Sequence, residues 1–132
     1  MDIIEARQRF NLVGVSPALW SALTTRGKEY KGIARPKGYR KWRDGDCFRN
    51  ASMIATRSPN DTYVEGVAYD LHCLFHHAWV TTDDEHAIDI TWPEPGVFYW
   101  GIAVPLNDLC DVLSRTGEYG CIIEGLENRE AA

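Results

Sequence analysis

Cys47, His77 and Asp89 have the residue types of a nucleophile, a base and an orienting carboxylate. Cys47 falls in the first turn of a helix whose expected N-cap is Asp46, where free backbone N–H groups and the helix dipole favour an anion. A thiol held there is converted in part to thiolate, its reactive form. Asp46 opposes that effect unless its carboxylate is occupied as the cap. Away from such a place a free cysteine is a small buried hydrophobe. His77 lies in Phe75-His76-His77-Ala78-Trp79-Val80, where alternate residues face opposite ways. In Ala87-Ile88-Asp89-Ile90-Thr91-Trp92, Asp89 and Thr91 share the face opposite Ile88, Ile90 and Trp92. A hairpin turning on Asp83 sets His77 directly opposite Asp89, with Cβ atoms about 4.5–5.5 Å apart. A carboxylate there fixes the imidazole tautomer and stabilises the imidazolium. A register slip of one residue would split the pair.

Other residues carry two readings each. Glu65 interrupts Tyr63-Val64-Glu65-Gly66-Val67, and either orients a substrate amine or the Cys–His pair, or faces solvent. Gly66 beside it permits a close backbone approach. Trp79 either walls the site or packs in the core, and Asn50 bonds a neighbouring strand or the substrate. His72, Cys73, His76 and His77 would suit a metal only on a helix, and strand geometry makes them diverge. The thiol chemistry requires no metal or organic cofactor. Cys73, Cys110 and Cys121 are expected to be structural, Cys110 on an apolar helix stripe and Cys121 beside Ile122-Ile123. His86 reads as an exposed turn residue.

The elements that position these residues follow from local patterning. Residues 2–11 form a short helix capped by Asp2, and Ser16-Pro17 opens a second helix over Ala18 to Thr25. Residues 27–45 read as an irregular crossing segment. The Cys47 helix runs to about Ala55 and must stop before Pro59. Four strands follow, at Thr62–Tyr69, Phe75–Thr81, Ala87–Trp92 and Phe98–Val104. A helix from Pro105 or Asn107 ends at Gly117, and Tyr119–Ile123 reads as one more strand. The class is α+β, a Cys-bearing helix packed on an antiparallel sheet.

A chain of 132 residues suits one domain with a continuous core. The N-terminus lacks the apolar stretch of a secretory signal, and no apolar run is long enough to span a membrane. Cytoplasm is the expected location. The net charge is −5, yet residues 26–43 carry eight Lys or Arg and only one acid, Glu29. With Tyr30, Tyr39 and Trp42 interleaved, this segment could meet a nucleic acid. The acidity of the rest favours an arm lying over its own domain instead.

Cys47, His77-Ala78-Trp79 and Asp89-Ile90-Thr91-Trp92, in that order, resemble the transglutaminase-like branch of the papain-type cysteine hydrolase superfamily. Cys47-Phe48-Arg49-Asn50-Ala51, Tyr63-Val64-Glu65-Gly66 and Tyr99-Trp100-Gly101-Ile102 also resemble motifs of small phage and bacterial proteins. The resemblance implies a papain-like core in one domain over 1–132. Residues 1–44 would hold the N-terminal helices and basic segment, 45–104 the Cys-His-Asp core, and 105–132 the last helix and tail. It implies a peptidase, deamidase or transglutaminase-type enzyme acting on a protein, peptide or small amide. For a phage protein the location is the cytoplasm of an infected bacterial host. The short chain and Ile90, where the family usually has Pro, leave the acyl acceptor open between water and amine. The alternative is a non-catalytic phage-type binding or inhibitor protein on the same fold.

Overall fold

The computed structural model describes residues 1–131, and its elements are four longer strands, two short ones and five helices. They are α1 (Ile3–Arg9), β1 (Leu12–Val13), α2 (Pro17–Arg26), β2 (Lys28–Ile33), α3 (Cys47–Arg57), β3 (Thr62–Tyr69), β4 (Leu74–Thr81), β5 (His86–Ile88), β6 (Phe98–Val104), α4 (Leu106–Thr116) and α5 (Ile122–Ala131). The class is mixed α+β. Strands pair in the order β4-β3-β6-β2-β5, and β5 returns to β4 through Val80 and Ile88. That closes a five-stranded barrel, with β1 added to β4 at Leu74 and Phe75. The expected antiparallel sheet is found only in part. The sheet is closed, and the β2–β5 and β1–β4 pairings are parallel.

Alternation along the strands sorts side chains onto two faces. Tyr30, Val64, Ala68, Trp79, Ala87 and Tyr99 fill the inner face. Tyr63, Val67, Ala78, Val80, Ile102 and Val104 face outward, where the helices cover them. Gly66 lies between His77 on β4 and Gly101 on β6. A Cβ there would stand 2.0 Å from the Trp100 carbonyl oxygen, so the close approach expected of this glycine is real.

Most helix ends obey local chemistry. Asp2 Oδ1 accepts from Glu5 N–H, Ser16 Oγ accepts from Leu19 N–H, and Gly117 closes α4 in the left-handed conformation. Three expectations fail. Residues 28–33 are a barrel strand rather than irregular chain: Tyr30 turns inward, while Lys28, Glu29 and Lys31 are exposed. Tyr119–Ile123 is not a strand, because Cys121 takes φ 51° and Ile122-Ile123 begin α5 with both side chains buried. The strand expected over Ala87–Trp92 ends at Ile88 and already includes His86.

Candidate active site

Cys47 is the first residue of α3 and shares one helical face with Ala51 and Ala55, one and two turns on. These small buried side chains let α3 lie close against β4. Asp46 occupies the N-cap position, but its carboxylate makes no capping bond. The N–H groups of the first turn thus keep no side-chain acceptor and remain free for an anion at the thiol.

Cys47, His76, His77, Thr91 and Trp92 line one open cleft of about 260 Å³, with Gly45, Asp70 and Phe75. His77 Nε2 is 2.8 Å from Asp89 Oδ2, and both residues are buried. Burial works against a charged imidazole here, yet the Asp89 hydrogen bond and the adjacent Cys47 thiol outweigh it, and the His77 pKa is pushed up to about 9. With Nε2 committed to Asp89, Nδ1 is the ring atom left for Cys47. Burial opposes ionisation of Asp89 as well, and the bonds from His77, Trp92 N–H and Tyr99 hold its pKa below the usual value.

The pairing arises differently from the hairpin register expected. Val80 faces Ile88, a register two residues away from the one that sets His77 opposite Asp89. A shift of two preserves the face. Because β5 stops at Ile88, Asp89 starts a turn in which its Oδ1 accepts from Thr91 N–H and Trp92 N–H, at 3.0 and 2.9 Å. Its Oδ2 is thereby turned toward His77 and also receives the Tyr99 hydroxyl at 2.7 Å.

The remaining site expectations are redistributed. Asn50 is buried, and its Nδ2 donates to Arg43 O and Thr91 Oγ1, both at 2.8 Å. It ties α3 to the Asp89 turn, the strand-side bond the sequence allowed. Trp79 is fully buried on the inner face, so it backs the site without walling it. Trp92 takes that place, stacked on the His77 ring at 4.1 Å and lining the cleft. Glu65 is also fully buried, with its oxygens bonded to Tyr63, His76 and Ile122 N–H. It therefore does not face solvent. Tyr63 is held well above its ordinary pKa by burial first, then by Glu65 and the Cys47 sulfur.

Tyr99 and Arg35 were not legible as site residues. Tyr99 belongs to the Tyr-Trp-Gly-Ile motif, which was its only signal. Arg35 donates to the Trp92 carbonyl at 2.8 Å, and Trp42 N–H donates to Ile90 O, so the basic segment clamps the Asp89 turn. His76 and His77 sit on opposite strand faces, so the His72-to-His77 stretch does not converge on a metal. The one metal-capable group among the described residues is the exposed Asp83, Glu85 and His86.

The other thiols are more open than expected. Cys110 and Cys121 are exposed and Cys73 is half-buried. On α4 the buried stripe is Leu109 and Val112, which leaves Cys110 on the solvent side. Burial raises the Cys121 pKa, and Glu124, Glu65 and Glu118 add to the rise. Compared with known proteins, the chain matches no family model, no curated protein and no solved structure.

Proposed function

We propose that this protein is a thiol-dependent acyl-transfer or amide-hydrolysing enzyme with a papain-like arrangement of Cys47, His77 and Asp89. The observation that carries the reading is a single imidazole bonded at Nε2 to a buried carboxylate and flanked by a helix-start thiol in an open cleft. His77 takes the Cys47 proton, and the thiolate attacks an acyl carbon. The tetrahedral oxyanion is received by the uncapped N–H groups at the start of α3. His77 then returns the proton to the leaving group, and the acyl group rests on sulfur as a thioester. Resolution by water makes the enzyme a peptidase or deamidase, and resolution by an amine makes it a transferase.

Acylation by p-nitrophenyl acetate tests this, read by mass mapping of the modified cysteine. Cys47 is expected to acylate in the wild type and to lose nearly all of that reactivity in His77→Ala. Equal acylation in both would favour a binding protein built on the same fold.

A further inference from the structure

The cleft contains a second histidine–carboxylate pair. His76 Nε2 is 2.7 Å from Glu65 Oε2, and Glu65 is completely buried. Its other oxygen takes the Tyr63 hydroxyl at 2.6 Å and Ile122 N–H at 3.0 Å. Three donors from β3, β4 and the start of α5 therefore fix this carboxylate. The side chain of His76 keeps 11 % exposure, lines the same cleft as Cys47, and packs edge-on against Phe48, the residue after the thiol. Ser52 Oγ and Trp79 Nε1 are the enclosed side-chain polar atoms without a partner among the described residues. His76 Nδ1 is not one of them and has no partner among the described residues, so it is accessible on a residue that lines the cleft.

The tautomer decides what that atom can do. A carboxylate only accepts, so Nε2 carries the proton and Nδ1 of the neutral ring presents a lone pair. It can take a proton and has none to give to an oxyanion. His77 is held in the same way, with Nε2 on Asp89 and Nδ1 left over. Two imidazole–carboxylate pairs thus reach one cleft with Cys47 from opposite faces of β4.

We propose that His76, held by Glu65, is the base for the second half of the reaction and activates the acceptor that resolves the Cys47 thioester. This rests on the thiol-enzyme reading. With water as acceptor, its oxygen bonds to the thioester carbonyl carbon while its proton passes to His76 Nδ1. Collapse of the tetrahedral intermediate breaks the C–S bond, and Cys47 leaves as thiolate. The proton on His76 then returns through cleft solvent to the thiolate and His77, restoring the resting state. Glu65 holds the ring through Nε2 while Nδ1 takes the proton. An amine acceptor would lose its proton to the same atom.

The test separates acylation from turnover. With p-nitrophenyl acetate, nitrophenol release is followed as a burst and a steady state, with Cys47→Ser subtracted to remove the other thiols. His76→Phe is expected to keep the rate and size of the burst while the steady state falls roughly 10²-fold or more. His76→Gln, which keeps a partner for Glu65 but has no basic nitrogen, should behave alike and serves if the Phe variant does not fold. Steady-state rates equal to wild type would overturn the proposal. So would a parallel loss of both phases, which would assign His76 a structural role. Absence of a wild-type burst would remove the thiol-enzyme reading itself, and this inference with it.

Discussion

The Asp89 carboxylate meets His77 Nε2 at 2.8 Å from outside the strand ladder, in a turn that its own second oxygen holds together. One residue thus shapes the turn and orients the His77 ring. Asp89→Asn keeps an acceptor for the turn but places an amide against His77, favouring the wrong tautomer. Acylation of Cys47 is expected to fall roughly 10²–10⁴-fold with the overall fold retained. Stopped-flow acylation together with circular dichroism checks both parts.

The same pair sets a pH dependence of stability. His77 is raised from 6.5 to about 9 on folding, so its contribution is complete below about pH 6.5 and is lost as pH rises through 9. The loss is on the order of 3 kcal/mol at most. Asp89 is lowered from 3.8, so its contribution is present above that value and disappears as pH falls through the depressed one. Urea unfolding from pH 5 to 9.5 should show a declining midpoint above about pH 6.5, and His77→Gln should flatten the decline. An unchanged slope in that variant would place the titration elsewhere.

Thiol labelling needs the exposed cysteines removed first. Cys110 and Cys121 are expected to react with iodoacetamide in the native state, before any unfolding. In a Cys110→Ser, Cys121→Ser background, alkylation of Cys47 near pH 6.5 should drop about tenfold in His77→Ala, since the cation that stabilises the thiolate is gone. Peptide mass mapping over time resolves the individual sites.

Gly66→Ala should cost several kcal/mol, about 3 or more, or prevent folding. Its Cβ would meet backbone on the neighbouring strand, which has no rotamer to escape into. Chemical denaturation of the soluble fraction provides the measure. A near-wild-type midpoint would mean that β3 and β6 can separate there.

Half of the eight basic residues in 26–43 are engaged within the molecule. Arg26 pairs with Glu127, Lys28 with Asp84 and Lys41 with Asp44, while Arg35 holds the Asp89 turn. Duplex DNA is expected to bind weakly at 50 mM salt and to be lost at 200 mM, as counterion release requires. Fluorescence anisotropy at both salts checks this, and a submicromolar complex surviving 200 mM would contradict it.

Where the chain's local chemistry is strong, the sequence was readable. Ser16-Pro17 and Gly117 placed helix ends, and the aromatic and β-branched runs at Thr62, Phe75 and Phe98 placed three strands. β2 escaped because only Tyr30 is fully buried, and the charges facing solvent disguise a strand of the barrel. α5 escaped because its opening Ile122-Ile123 is β-branched, and burial against the other helices overrides that preference. The faces of His77 and Asp89 were legible from period two, whereas the register depended on a turn whose residues allow more than one length. Glu65 was noticed as a misfit, but its partner His76 lies on another strand and no spacing rule joins them.

Barrel closure also sets when the thiol becomes special. β2 is made early, yet its partners are β5 and β6, through Lys31 with His86 and Lys28 with Gly101. At about 5–20 residues per second, the chain emerges with Cys47 well before the strands that complete its surroundings. Until Phe98 to Val104 has been added, β2 and β3 lack their shared neighbour and Asp89 lacks the Tyr99 hydroxyl. On the proposed reading, the thiol acquires its full surroundings only when the last strand arrives.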